Sequence, residues 1–357
     1  MAVVTFDHPG PNHFAMPYYG YGPGTAAAIG GHLLAPGFPR YSGYGEVTEP
    51  DWRPPPVRVV RPGDRAARPI RRAVWSFWSI PYRRQHGRHW PSDFFHALSW
   101  ILSFRLASRL FPTTALVTDD WGHELLVDRL RLPFDDISLS LNGLAGQNPS
   151  WWALGKLHAY REQREPFLHI DNDVFLWRGF PAEGLDGEIV AQNPEHAPAS
   201  DAGYYRPSAV AAAIRSIGGF LPKEFGDYIG DAALCTGVIG GTAIPLLRHY
   251  ADLAIRMVES AENQTAWRRL APLEDYNLVV EQYLLGAVCW GGGTTDVQCV
   301  FGSQHDTFRE DIAVAQKFTH LIASAKSDLR YMHWLTERVR NHFPADFEIA
   351  RRLFGDQ

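Results

Sequence analysis

Cysteine is scarce in this sequence: 357 residues hold three, Cys235, Cys289 and Cys299, far apart and without a C-x-x-C pair. That excludes a disulfide framework and a thiolate zinc site and fits a reducing compartment, the cytoplasm. A surplus of positive charge is also missing. With 34 lysines and arginines against 39 aspartates and glutamates, the net charge is -5, which leaves no electrostatic footprint for nucleic acid. Long uncharged apolar runs are absent as well. The most apolar stretch, "FFHALSWILSFRLASRLF" from Phe94, carries Arg105 and Arg109 and cannot cross a bilayer without a large cost. It reads as an amphipathic helix, and no transmembrane segment is expected. The first residues lack the basic and apolar regions of a secretory signal.

What is present is 45% hydrophobic and 13% aromatic residues, enough for one large α/β domain or two smaller ones. Residues 1–70 differ from the rest. "YYGYGPGTAAAIGGHLLAPGFPRYSGYG" is rich in Gly, Pro and Tyr, and "RPPPVRVVRPGDRAARPIRR" sets seven arginines against one aspartate. Few periodic apolar faces and many turn residues predict a tail with little packed structure, followed by a folded domain over 71–357. In that domain, Val74 to Ile80 has the aromatic, apolar character of a strand. A helix near 92–110, the strand "TALVT" (Thr114 to Thr118), the helix "WGHELLVDRL" and a helix from Ser150 follow. Strands are expected at "PFLHI", at about 187–192 and at "TGVIGG". Helices are expected over "AIPLLRHYADLAIRMVESA", "YNLVVEQYLLGAVCW", 327–341 and 344–353. Strands alternating with helices at this spacing predict a mostly parallel sheet flanked by helices.

"FLHIDNDVFLW" interrupts an apolar run with Asp171, Asn172 and Asp173. In open α/β sheets, ligands bind beyond the carboxyl ends of the strands. Two carboxylates there, two residues apart, suit a hard cation such as Mn²⁺ or Mg²⁺ whose shell is completed by substrate phosphates. An Asx turn with a solvated Asp173 is the plainer alternative. About 150 residues on, "FTHLIASAKSD" brings His320 and Lys326 around small residues. The imidazole is a possible third ligand and the lysine a point charge for a diphosphate; an ordinary helix start with a surface lysine is the alternative.

Asp171, Asp173, His320 and Lys326 together resemble the pattern of the GT-A glycosyltransferases of the glycogenin, galactinol synthase and lipopolysaccharide galactosyltransferase type. Those enzymes carry an apolar strand ending in DxD and, far downstream, His-x-x-Gly-x-x-Lys. The resemblance covers about residues 70–345, and the same segments are similar to an uncharacterised bacterial glycosyltransferase-like family. It implies a GT-A (Rossmann-like) mixed sheet, with both aspartates and His320 binding Mn²⁺ or Mg²⁺ and Lys326 contacting the diphosphate of a nucleotide sugar. It also makes Lys156, on the helix before the DxD strand, a contact to the donor. Ala323 stands where the family has glycine, and Cys235 where "FNAGV" has asparagine. Retaining transfer of a hexose from its UDP form is implied. The acceptor stays open between a peptide, a glycan and a small metabolite, and the Tyr- and Gly-rich tail is itself a candidate acceptor or docking arm.

Other residues are weighed beside these. Asp119 follows a strand and is a candidate contact to base or ribose, while Asp120 is the expected helix cap. Gln192, Asn193 and Glu195 follow another strand, at the sugar or acceptor side, with a turn role as the alternative for Glu195. Glu281 and Gln282 are polar positions in an apolar helix: cleft-facing, Glu281 is a catalytic candidate; outward-facing, they are its wet side. Asp275 is expected to cap that helix. Trp151 and Trp152 read as core, and His169 as a hydrogen-bonded core histidine. Two other functions remain open. A haloacid dehalogenase-type phosphatase also places D-x-D-x-V after an apolar strand, and a degenerate glycosyltransferase would bind sugar nucleotide without turnover.

Overall fold

A computed structural model describes residues 52–85, 90–197, 205–291 and 295–355. Residues 1–51, most of the expected tail, lie outside the described residues. Ten strands are present among the described residues: β1 (Arg58–Val59), β2 (Arg72–Phe77), β3 (Thr113–Thr118), β4 (Asp136–Ser138), β5 (Phe167–Ile170), β6 (Val174–Leu176), β7 (Ile189–His196), β8 (Ala232–Gly241), β9 (Val297–Cys299) and β10 (Phe318–His320). Eight of them form one sheet in the order β1-β9-β7-β8-β5-β2-β3-β4, and β10 pairs with β6 in a small second sheet. Strand β8 runs antiparallel to both neighbours and every other pairing in the large sheet is parallel, so the fold is the mixed, mostly parallel α/β sheet expected.

Alternation along β2 explains the layering. Ala73, Trp75 and Phe77 point into one apolar cluster, and Val74 with the following Trp78 into the other. On the first face lie helices α1 (Asp93–Ala107), α5 (Leu329–His342) and α6 (Pro344–Phe354). On the second lie α2 (Ala153–Glu162), α3 (Ile244–Glu259) and α4 (Leu284–Trp290). Helix α1 corrects the amphipathic reading. Every residue from His96 to Phe104 is buried, because the helix runs between the sheet on one side and α5 and α6 on the other. Its Arg105 is neutralised by Asp346 of α6, at 2.6 Å. No helix among the described residues is long and apolar enough to cross a membrane.

Part of the expected tail is ordered on the domain. Strand β1 extends the sheet beyond β9, Arg58 lies 2.7 Å from Asp186 and 2.6 Å from Asp296, and Val60 and Ile70 are buried. Strand β7 runs past Gln192 to His196, longer than the spacing suggested, with an irregularity in its register between Ala191 and Asn193. The chain leaves β2 toward β3 and β4, and leaves β5 toward β7 and β8. The carboxyl ends of β2 and β5 therefore bound the crevice at which an open α/β sheet binds its ligands.

Candidate metal centre

The site begins where β5 stops. The N–H of Asp171 donates to the Gly237 carbonyl at 2.9 Å, the last rung toward β8, and the N–H of Val174 closes a tight turn onto the Asp171 carbonyl at 3.0 Å. Helix α1 holds the turn from below: Ser103 Oγ donates to the Asp171 carbonyl at 3.2 Å and Ser99 Oγ to that of Asn172 at 2.6 Å. The chain resumes as β6, whose antiparallel partner β10 sets His320 opposite Val174. Pairing of two three-residue strands thus brings together groups 147 positions apart in the chain, as the numbering of Asp173 and His320 shows.

One ligand atom from each of Asp171, Asp173 and His320 lies within 4.8 Å of the others. Asp173 is buried. One of its oxygens meets Lys326 Nζ at 2.5 Å; the other, Oδ1, lies 3.4 Å from His320 Nε2 and accepts no hydrogen bond. A buried carboxylate oxygen without a donor is costly unless something cationic takes it up, and this donor set of two carboxylates and an imidazole fits Mn²⁺ or Mg²⁺. The two aspartates are polarised oppositely. Burial raises Asp171 to about 6, only partly offset by Lys156. Burial pushes Asp173 the same way, but Lys326 beside it holds it far below the ordinary carboxylate range.

Lys156 reaches Asp171 at 3.0 Å and Glu281 at 2.7 Å. Helix α2 comes close enough because Gly155 packs on Trp78, where an added Cβ would lie 2.7 Å from the tryptophan Cβ. Glu281, the expected catalytic candidate, faces Lys156. It is wholly buried in a π-helical turn (Val279–Tyr283), where one carboxylate oxygen receives both Lys156 and the Tyr160 hydroxyl, the latter at 3.1 Å. Asp119 is also buried: its oxygens accept the N–H groups of Ser79 and Gly122, both at 2.8 Å, which makes it the helix cap in place of Asp120. Asp120 instead bonds Asn142 at 2.8 Å. Asp275 pairs with Arg206 at 3.0 Å.

Gln192 is buried, with Oε1 2.8 Å from His320 Nδ1. Glu195 and Gln282, also buried, share the Tyr205 hydroxyl at 2.5 Å each; burial raises the Glu195 carboxyl. His169 bonds Ser76 Oγ through Nε2 at 2.9 Å, but its Nδ1 makes no hydrogen bond and lies 3.7 Å from an Asp171 oxygen, so it is only half satisfied. Burial, with Lys156 nearby, keeps it neutral. Cys235 is buried beside Glu195 with its thiol pushed up.

A cavity of about 150 Å³ opens beside the triad, lined by Trp78, Tyr82, Trp90, His96, Trp152, Asn172, Lys156 and Lys326 among others. Trp151 is core, edge-on to Trp267 at 4.8 Å, but Trp152 lines this cavity, which divides the expected core pair. Spacing could not reveal the cavity, since its walls come from four separate stretches. Gly237 carries no role that spacing alone reveals, although "TGVIGG" shows a glycine cluster at a strand.

Fold and site define an α/β protein with a candidate divalent-metal centre at the crevice of its sheet. Residues 71–353 match the Family of unknown function (DUF6734), and the chain belongs to that family. No curated protein matches it. Among solved structures it is similar to the inositol-1-phosphate CTP transferase from T. maritima, at 11% identity and a TM-score of 0.35, over 76% of this chain and 97% of that one; a likeness so distant carries no argument.

Proposed function

We propose that this protein is a metal-dependent glycosyltransferase that moves a hexose from a nucleoside diphosphate sugar, UDP-linked by the resemblance, to an acceptor. The observation that carries the reading is the convergence of Asp171, Asp173 and His320 between Lys156 and Lys326, at the mouth of an aromatic cavity beyond the ends of β2 and β5. In this reading Asp171, Asp173 and His320 hold Mn²⁺ or Mg²⁺, which when bound neutralises the charge gathering on a departing diphosphate. Lys326 offers a second positive centre at the same place, within reach of both Asp173 and the cavity. Lys156 keeps Asp171 ionisable despite burial, and Glu281 keeps Lys156 in position. The walls Trp78, Trp90 and Trp152 provide ring faces for a nucleobase. Retention of configuration rests on the resemblance alone.

The phosphatase alternative asks Asp173 to carry and return a proton. Against it stands the ion pair with Lys326 at 2.5 Å, which favours Asp173 as a fixed carboxylate.

The test is thermal unfolding with Mn²⁺ and each common nucleoside diphosphate, on the wild type and on Asp173→Ala. We expect a rise of several degrees that needs metal and UDP together and disappears in the variant. The absence of a shift with any nucleotide and metal would overturn the proposal.

A further inference from the structure

The structure assigns Gln192 a role apart from any sugar contact: we infer that it is a positioning residue that selects the tautomer of His320 and turns Nε2, as a lone pair, toward Asp171 and Asp173. The inference rests on the metal reading above. A neutral imidazole carries one N–H. Gln192 Oε1 lies 2.8 Å from Nδ1, while Nε2 stands 3.4 Å from Asp173 Oδ1, an oxygen without a hydrogen-bond donor. An amide oxygen can only accept, so this contact is a hydrogen bond when the proton sits on Nδ1. The opposite tautomer would point an N–H at the aspartate and offer a cation nothing. A partner on the far nitrogen is the general device by which a histidine ligand is oriented.

Three features hold Gln192 to this task. It is 1% exposed, so water does not compete for its amide. Its carbonyl is fixed by the Phe301 N–H at 2.9 Å, and it lies where the register between β7 and β8 slips, a local irregularity of the kind that re-aims a side chain. Facing it is Gly237, where a Cβ would stand 2.2 Å from Gln192 Oε1 and 2.6 Å from His320 Nδ1. The glycine is required for space, so that amide and ring can meet. Its carbonyl also receives the Asp171 N–H, so one residue sets both halves of the centre.

The test joins two measurements on the full chain. Nitrogen-15 shifts of the His320 ring, recorded without metal, report which nitrogen is protonated. Titration with Mn²⁺, followed by the resonance of the free ion, reports affinity. In the wild type we expect the proton on Nδ1. In Gln192→Leu that preference is lost and Mn²⁺ affinity falls roughly ten- to a hundredfold. Gln192→Glu, which keeps an acceptor, stays within about threefold of the wild type, and Gly237→Ala behaves as Gln192→Leu. A proton on Nε2 in the wild type, or undiminished affinity in Gln192→Leu, overturns the inference while leaving the metal centre standing. A wild type that binds no divalent cation overturns both, and is seen before any variant is made.

Discussion

Asp171 and Asp173 lie two positions apart yet answer pH in opposite directions. The Asp173 carboxyl is held below its unfolded value of about 3.9, so its contribution to stability is present above about pH 4 and lost as pH falls through its folded value. Asp171, raised to about 6, has the reverse sign: the native state prefers it protonated, and that stability is lost as pH rises from about 4 through 6. Asp171→Asn is therefore expected to be more stable than the wild type at neutral pH, on the order of 2 kcal/mol, with the difference vanishing below about pH 4. Asp173→Asn leaves Lys326 without its partner in a mostly buried place and is expected to lose roughly 3 kcal/mol at neutral pH. Both should abolish Mn²⁺ binding. Urea unfolding across this pH range checks the signs, and a destabilised Asp171→Asn would refute the account of Asp171.

At the scale of elements, the centre depends on β10 lying beside β6. Besides its backbone rungs, that pair is tied by Trp177, whose indole N–H donates to Thr319 Oγ1 at 2.7 Å in a buried place. Thr319→Val keeps the shape and removes the acceptor. Leaving the indole unsatisfied should cost about 1–3 kcal/mol. Mn²⁺ affinity should fall severalfold with it, although the Thr319 hydroxyl bonds Trp177 and no proposed ligand; denaturation and metal titration of the same sample would show whether the two losses travel together. Such short strands explain why the sequence hid the pairing. "FTH" and "VFL" are too brief for any period to show, whereas the helix now found at Asp93–Ala107 and the strand at Thr113–Thr118 stood out by length and by their flanking Ser, Asp and Pro residues.

For the whole molecule, the sheet does not end where the family match begins. Residues 57–70 close the edge at β9, bury Val60 and Ile70, and bond back through Ala66 and Ile70 N–H groups to the carbonyls of Glu183 and Leu185, each at 2.8 Å. A chain beginning at residue 71 should thus be several kcal/mol less stable than one beginning at residue 52, since each buried aliphatic side chain contributes about 1.5–3 kcal/mol and an exposed strand edge invites association. Equilibrium unfolding and light scattering of the two chains would decide. Equal stability would mean that β1 is an ornament on the sheet. The ion pairs of Arg58 add little by themselves, because its side chain is 45% exposed.

By itself the sequence determined the alternation of strands and helices and the carboxylate pair Asp171 and Asp173 at the end of an apolar strand, because periodicity and local chemistry are written in neighbouring residues; His320 and Lys326 joined them only through a family resemblance. Composition misled over 52–70: arginine and proline there read as unpacked chain, yet Arg58 meets acids from Asp186 and Asp296, more than a hundred positions away. Only the tertiary structure decided which polar residues stand behind others. Glu281 supports Lys156, Asp119 caps a helix, and Gln192 steadies His320, since each of these roles depends on what lies across a packed interface rather than along the chain.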